Sequence, residues 1–184
     1  MIKKNFFYRY FKDLSKIFDN DSNFVIFKKV AKEIIAMSKK GGKLIIVGNG
    51  GSAAIASHAS VDFTKAAGIR AINFNESDLL TCFSNDYGYE NWVKKALEFY
   101  VDKNDIVILI SSSGRSKNIL NGAKFLKKKK IKLITFSGFS DKNNLKKLGN
   151  YNLYCNSNHY NYVENTHQIW ILSLVDYIIS KKKN

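Results

Sequence analysis

The chain has 184 residues, 45% of them hydrophobic, which suits one domain with a buried core better than two. Its formal net charge of +15 comes from basic residues in short clumps, most of them at the ends of predicted helices, where cations complement the helix dipole. Because no helix-turn-helix, zinc-finger or RNA-binding signature accompanies this charge, we interpret it as a solvated basic surface and do not expect nucleic acid as a partner.

Two helices are predicted first, because Phe6–Phe18 and Phe24–Ser38 carry apolar residues at helical spacing. After them, short apolar runs that predict strands alternate with longer helical stretches. In chain order, the later elements are strand Lys43–Val47, helix Ser52–Ala67, strand Ile69–Phe74, helix Glu90–Tyr100, strand Ile106–Ile110, helix Lys117–Lys128, strand Ile131–Phe136, strand Tyr151–Cys155 and helix Tyr162–Ser180.

This alternation predicts an α/β fold, because strand–helix–strand crossovers produce a parallel sheet with helices on both faces. Continuous apolar runs such as Ile106–Ile110 fit strands that are buried on both sides. We therefore expect a three-layer α/β/α sandwich with a five-stranded parallel sheet and extra N-terminal helices. The whole of 1–184 is interpreted as one domain, with an N-terminal helical segment at 1–40 and an α/β core at 41–184.

The last predicted helix contains the longest apolar stretch, Ile169–Ile179, which is too short to span a bilayer. The first ten residues carry no secretion signal, and Cys82 and Cys155 lie in apolar or strand-like contexts that predict two buried thiols instead of a disulfide. We therefore expect a soluble cytoplasmic protein. The apolar helices Phe6–Phe18 and Ile169–Ile179 also predict an oligomer, because a monomer seldom covers a helix on all sides.

The loop Gly48-Asn49-Gly50-Gly51-Ser52 directly follows the first strand. Its glycines let the backbone turn sharply and approach a ligand, and Ser52 is a candidate cap for the next helix, whose N-terminus attracts anions. The glycine spacing matches neither a Walker loop nor a dinucleotide fingerprint. A ligand-binding loop and a plain strand-to-helix turn both remain open at this point.

The loop Ser111–Ser116 directly follows the strand Ile106–Ile110 and contains four serines, Gly114 and Arg115. Hydroxyls and backbone N–H groups at a helix start form a neutral cradle for an anion. A single serine is enough to cap the N-terminus of the following helix. The presence of four serines therefore favours an anion site over a polar loop.

The motifs GNGGS and SSSGRSKN resemble those of the sugar isomerase (SIS) domain family, and more closely those of its phosphoheptose isomerase branch. The segment Asn85–Tyr89 fits the same branch, and the similarity runs over nearly the whole chain. The resemblance implies a flavodoxin-like, doubly wound sheet and a homotetramer with active sites at subunit junctions. It also implies conversion of sedoheptulose 7-phosphate to a heptose 7-phosphate for lipopolysaccharide or capsule biosynthesis.

The resemblance assigns two groups of residues to binding a phosphorylated sugar. They are Ser111, Ser113 and Ser116 for the phosphate, and Asn49, Gly50, Ser52 and Asp86 for the sugar.

Aldose–ketose isomerisation needs a base and an acid. In the family, the helix after the Gly-rich loop supplies a His and, four residues on, a Glu, while the last helix supplies a Gln and, eight residues later, a His. This chain has His58 and Asp62 at the first two positions, and Glu164 and Leu172 at the others. His167 lies one turn beyond Glu164 on the same face. We predict Glu164 or Asp62 as the base, with His58 or His167 as its partner.

Several family members bind zinc with these four groups. His58, Asp62, Glu164 and His167 are suitable ligand types for zinc. The leucine at one expected ligand position weakens this interpretation, so a zinc site and a metal-free site are both open hypotheses.

Other roles also remain open. His58 is alternatively a hydrogen-bonded core histidine, and Glu164 a carboxylate favoured by a helix start. Two other functions are a non-catalytic sugar-phosphate-binding or assembly protein, as some relatives of the branch are, and an isomerase of a different sugar phosphate.

Overall fold

The computed structural model describes residues 5–18 and 21–182. These residues form a five-stranded sheet in which all pairings are parallel and the strand order is β2-β1-β3-β4-β5. The strands are β1 (Leu44–Gly48), β2 (Ala71–Asn73), β3 (Ile106–Ser111), β4 (Lys132–Ser137) and β5 (Tyr151–Tyr154). The expected α/β fold with a five-stranded parallel sheet is confirmed.

Helices lie before, between and after the strands. They are α1 (Phe6–Phe18), α2 (Asp21–Lys39), α3 (Gly51–Lys65), α4 (Ser77–Tyr87), α5 (Trp92–Tyr100), α6 (Lys117–Lys129) and α7 (Tyr160–Lys182). None of the helices in residues 5–18 and 21–182 combines the length and the apolar character that a membrane span requires.

The sheet is buried on both faces, and alternate side chains of the central strands serve two separate clusters. Ile46 and Ile108 pack with α2, α3 and α7 on one face, whereas Val47 and Leu109 pack with α4, α5 and α6 on the other. Burying an aliphatic side chain of this size stabilises the fold by about 1.5–3 kcal/mol. These two clusters fix the sheet as the rigid layer from which the loops project.

Two features differ from the sequence-based expectation. Helix α4 was not predicted, because none of its residues is buried and its pattern is therefore weak. Cys82 lies in this helix and is exposed, so the expectation of two buried thiols is wrong for that residue. Cys155 is buried, and its burial raises the pKa of the thiol to about 11.

A buried carboxylate joins the starts of β1 and β3, at the end of the sheet away from the serine loop. Asp105 accepts hydrogen bonds from the Lys43 backbone N–H at 2.9 Å and from the Asp102 backbone N–H at 2.8 Å. Its other contact is an ion pair with Lys43 Nζ at 2.6 Å. Lys43 Nζ also pairs with Asp102 at 2.7 Å, but the Asp102 side chain is 80% exposed, compared with 1% for Asp105.

We expect Asp105→Ala to destabilise the fold by about 3 kcal/mol, because it leaves two backbone donors and a half-buried ammonium without their buried acceptor. The matched control is Asp102→Ala, which removes the exposed partner of the same lysine and should cost much less stability than Asp105→Ala. Urea unfolding of the two variants measures the difference. Equal losses would contradict the role given to burial.

Candidate active site

The strand order reverses between β1 and β3, which are neighbours in the sheet although other elements separate them in the chain. Ligands of doubly wound sheets bind at such a point, beyond the carboxyl ends of the strands. The Gly-rich loop leaves β1 here and the serine loop leaves β3 beside it. The topology therefore brings together the two loops that the sequence analysis selected.

A cavity of about 300 Å³ lies between these loops and the start of α7. Its lining residues are mostly small and polar. They are Asn49, Gly50, Gly51, Ser52, Ile110, Ser111, Ser112, Ser113, Ser116, Tyr160 and Glu164. Among these described residues there is no lysine or arginine, and Glu164 is the one carboxylate.

The serine loop presents several hydroxyls to this cavity. The Oγ atoms of Ser111 and Ser116 lie 3.2 Å apart, and Ser113 Oγ accepts a hydrogen bond from the Arg115 backbone N–H at 3.3 Å. Ser112 Oγ is buried and has no hydrogen-bond partner among the residues that the structure describes. Buried hydroxyls are normally bonded, so the Ser112 hydroxyl is an exception within this loop.

Gly114 gives the serine loop its shape. Its φ of +62° lies in the left-handed region, and a Cβ at this position would overlap the Asn143 side chain. A glycine satisfies both constraints. Arg115 follows it and is exposed, outside the cavity lining.

The Gly-rich loop differs in one detail from its prediction. Helix α3 begins at Gly51, and Gly50, with a φ of +55°, occupies the N-cap position. Ser52 is therefore not the cap but lies within the first turn, where its side chain is buried in the cavity wall. The free end of α3 still presents its partial positive charge to the cavity.

A reciprocal amide pair connects the two loops. Asn49 Nδ2 donates to Asn118 Oδ1 at 3.0 Å, and Asn118 Nδ2 donates to Asn49 Oδ1 at 2.9 Å. Asn118 belongs to the first turn of α6 and is 2% exposed. Asn118 was not among the predicted site residues, although it stands within the SSSGRSKN motif.

Glu164 reaches the cavity because two glycines allow helix α7 to approach closely. A Cβ at Gly51 would overlap the Glu164 carboxylate, and a Cβ at Gly138 would lie 2.8 Å from Val163 Cγ1. The carboxylate therefore rests on the backbone at the N-terminus of α3, whose dipole favours its negative charge.

The predicted pair His58 and Asp62 is formed, but outside the cavity. His58 Nε2 lies 3.3 Å from Asp62 Oδ2, and the two side chains are 55% and 37% exposed. Gln168 Nε2 lies 3.0 Å from His58 Nδ1. Gln168 stands one turn beyond Glu164 on α7, and it was not among the predicted site residues because Glu164 was placed at the family's glutamine position.

His167 does not join these groups, although it was predicted as a catalytic or metal-binding residue. The imidazole is fully buried, with Nε2 3.2 Å from the Ser137 carbonyl oxygen and its ring against Phe136 and Trp170. Desolvation lowers its pKa to about 4. His167 does lie one turn beyond Glu164, but α7 turns this face of the helix into the core.

Asp86 is exposed near the end of α4, where its carboxylate accepts a hydrogen bond from Asn85 Nδ2 at 3.0 Å and contacts Cys82. It is not among the cavity lining residues. The structure of a single chain therefore does not bring Asp86 to the serine loop.

The four residues proposed for zinc do not converge. In residues 5–18 and 21–182, no group of three or more His, Cys, Asp or Glu side chains is placed to hold a metal ion. Gln168 and Asp62 contact opposite nitrogens of the His58 ring, which point in diverging directions, so these two side chains and His58 do not surround one ion. The four residues proposed for zinc therefore do not form a metal site within a single chain.

Comparison with known proteins identifies the family. The model of the SIS domain matches residues 7–138, which is more than half of the chain. The chain belongs to the SIS domain family. The chain is 37% identical over 131 residues to phosphoheptose isomerase 2 of Campylobacter jejuni, and 35% identical over 130 residues to a phosphoheptose isomerase of Histophilus somni. These alignments cover 68% of this chain and 65% and 67% of the relatives, so the chain matches about two thirds of their length.

Solved structures of similar proteins share the fold of this SIS chain. A phosphoheptose isomerase from Francisella tularensis superimposes with a TM-score of 0.87 at 23% identity, covering 98% of this chain and 100% of that one. A protein of Escherichia coli CFT073, solved in complex with a phosphosugar, superimposes with a TM-score of 0.70 at 21% identity, covering 94% and 85% of the two chains. These likenesses confirm the doubly wound architecture.

We expect Asn118→Ala to destabilise the SIS fold by about 1–3 kcal/mol, because it leaves the Asn49 amide without its donor and its acceptor. The matched control is Asn121→Ala, one turn along α6, whose hydrogen bonds lie at the surface and whose loss should cost less than about 0.5 kcal/mol. Urea unfolding at pH 7 compares the two. Equal effects would contradict a special role for the pair.

We expect His167 to make stability fall as the pH drops. The pKa of the His167 imidazole is 6.5 without the burial and about 4 in the folded chain. Below pH 6.5 the unfolded chain therefore binds a proton that the folded chain does not bind. Between pH 7 and pH 4.5 this should remove about 2–3 kcal/mol from the free energy of unfolding. His167→Gln should lose less stability than the wild type over this range in urea titrations. Parallel losses would rule out the assigned cause.

Proposed function

We propose that this chain is a cytoplasmic aldose–ketose isomerase that interconverts sedoheptulose 7-phosphate and a heptose 7-phosphate. The observation that carries the proposal is the cavity at the β1/β3 switch point, which combines the serine loop with the single carboxylate of Glu164. The phosphoheptose isomerases among the relatives support the reaction, and the phosphosugar complex of the Escherichia coli protein supports a phosphorylated sugar as the ligand class.

The serine loop is assigned to the phosphate. Ser111, Ser113 and Ser116 supply hydroxyls, and the start of α6 directly after Ser116 supplies backbone N–H groups and a partial positive charge. Because these donors are neutral, the phosphate is held by hydrogen bonds and a helix dipole instead of ion pairs.

The sugar is assigned to the opposite side of the cavity, along Asn49, Gly50 and Ser52. The backbone at Gly50 and Gly51 offers no side chain that would hold the sugar away from the start of α3. Asp86 lies outside the cavity of its own chain. Its proposed contact with the sugar hydroxyls therefore requires an oligomer in which α4 of another subunit lies next to the cavity.

The reaction moves one proton between neighbouring carbons. A base removes a proton from C1 of the ketose, the electron pair forms a C1–C2 double bond, and the C2 carbonyl oxygen takes up a proton to give the enediol. The carbon-bound proton then returns to C2 while the O1 hydroxyl loses its proton, which gives the aldose. One carboxylate that can reach both carbons suffices for the carbon-bound proton.

Glu164 is assigned to that proton transfer, because it is the carboxylate that lines the cavity. Its place on the backbone of Gly51 holds it near the loop assigned to the sugar. No step of the proposal uses a metal, because His58, Asp62, Glu164 and His167 do not come together to hold one among the described residues.

The His58–Asp62 pair is assigned to the substrate oxygens of a neighbouring copy, since it faces outward from its own chain. Two apolar features support an oligomer, for which we propose a tetramer as in the family. Phe6, Phe7 and Phe11 of α1 are each more than 60% exposed. An open apolar cavity of about 560 Å³ lies where α1 and α2 meet α7.

A second candidate function is non-catalytic binding of a sugar phosphate. It is favoured by the burial of His167, the one histidine among the described residues of α7, which leaves this helix without an imidazole for the site.

Turnover of sedoheptulose 7-phosphate, followed by NMR of the sugar with and without added zinc, separates the two candidates. An aldoheptose 7-phosphate product supports the isomerase. Binding of the sugar phosphate without any product would leave the binder, and the isomerase proposal would fail.

We expect Glu164→Gln to lower turnover by about 100- to 10,000-fold, because the amide cannot accept the proton. Glu76→Gln, an exposed carboxylate outside the cavity, is the control and should leave turnover unchanged. If Glu164→Gln stays active while Asp62→Asn is inactive, the base is Asp62.

Mixing the two variants tests whether the site is shared between copies. If both Glu164→Gln and Asp62→Asn are inactive alone, mixed oligomers contain some sites with both native carboxylates and should recover part of the activity. No recovery after confirmed subunit exchange would place both carboxylates in the site of one chain.

A further inference from the structure

Tyr160 is the one aromatic residue among the described residues that line the cavity. It is the first residue of α7, and Glu164 follows one turn later on the same face of the helix. Its side chain is 58% exposed, so it adds little to the core. An aromatic ring that remains open to solvent in a polar cavity is available to a ligand.

The Tyr160 ring is held in place by Phe139. The two ring centroids lie 4.7 Å apart at an interplanar angle of 71°, an edge-to-face contact. Phe139 lies just beyond the end of β4, and its φ of +59° is in the left-handed region that bulky residues seldom adopt.

Two hydrogen bonds keep Phe139 in this conformation. Its backbone N–H donates to the Ser157 carbonyl oxygen at 2.9 Å, and its own carbonyl oxygen accepts from the Tyr154 hydroxyl at 2.9 Å. Backbone strain persists where the surroundings fix it, and such residues often lie at ligand sites. The strained Phe139 thus supports a ring that itself faces the cavity.

We propose that Tyr160 is a substrate-binding residue whose ring forms the platform for the carbon chain of the sugar phosphate. This inference rests on the sugar phosphate of the proposed function. The C–H groups of a sugar chain present an apolar surface that packs on an aromatic ring, whereas its hydroxyls need polar partners. The other lining residues are polar, glycine or Ile110, so Tyr160 is the side chain that meets this apolar surface.

The platform divides the work of binding between two parts of the cavity. The serine loop binds the phosphate group. It therefore binds any phosphate ester, and it binds inorganic phosphate as well. Tyr160 contacts only the carbon chain, so it distinguishes a sugar phosphate from inorganic phosphate. It also lies next to the helical turn that carries Glu164, which orients the chain toward the carboxylate.

Calorimetric titration of the full chain with sedoheptulose 7-phosphate and with inorganic phosphate tests this division. Tyr160→Ala should weaken binding of the sugar phosphate by about tenfold or more, and should change binding of inorganic phosphate by less than about twofold. Tyr160→Phe keeps the ring and should stay within about threefold of the wild type for both ligands. Tyr100→Ala is the matched control. Tyr100 also packs against a phenylalanine, Phe74, and is 44% exposed, but it lies outside the cavity.

Three results would overturn the inference: unchanged sugar-phosphate affinity in Tyr160→Ala, equal weakening for both ligands, or a loss in Tyr160→Phe as large as in Tyr160→Ala. A wild type that binds the sugar phosphate no better than inorganic phosphate would overturn it as well. If the wild type binds the sugar phosphate but does not convert it, the isomerase proposal fails, while the affinities of the variants still decide the role of Tyr160.

Discussion

The candidate active site depends on the amide pair between Asn49 and Asn118, which joins loops that leave different strands. Each carboxamide donates to and accepts from the other, so the distance between the Gly-rich loop and the start of α6 is fixed by two hydrogen bonds at 2.9 and 3.0 Å. Asn118 is buried, and a buried amide without partners is costly, which makes any other spacing of the loops unfavourable. The cavity between the loops therefore has a defined width before a ligand arrives.

Close backbone contacts complete this arrangement from the side of α7. Gly51 and Gly138 leave room for Glu164 and Val163, so the helix that carries the carboxylate rests directly on the other elements. The serine loop depends on a close contact of the same kind, because a side chain at Gly114 would overlap the Asn143 side chain. A site built from such contacts is preorganised, and preorganised donors act without the cost of reordering at the moment of reaction.

The sequence was sufficient to predict the five strands, every helix except α4, and the two loops, because these follow from local signals. Strand Ile106–Ile110 is a continuous apolar run, and the Gly-rich and serine loops have unusual composition. The orientation of α7 was not predictable in the same way. Glu164 and His167 are one turn apart, but packing of α7 on the sheet places the histidine against Phe136 of β4 and leaves the glutamate in the cavity. Asn118, Tyr160 and Gln168 were missed because their roles depend on partners distant in sequence: Asn49, Phe139 and His58.

The cavity contains no cationic side chain among its described lining residues, although the chain as a whole carries a formal charge of +15. Capture and retention of an anion then depend on different parts of the molecule. The distributed positive charge attracts the anion over long range, and salt screens this attraction within a Debye length of about 8 Å at physiological ionic strength. The hydroxyls and helix ends that hold the anion afterwards are neutral groups at contact distance, where screening has little effect. Added salt should therefore slow the arrival of a phosphorylated ligand much more than it speeds its departure.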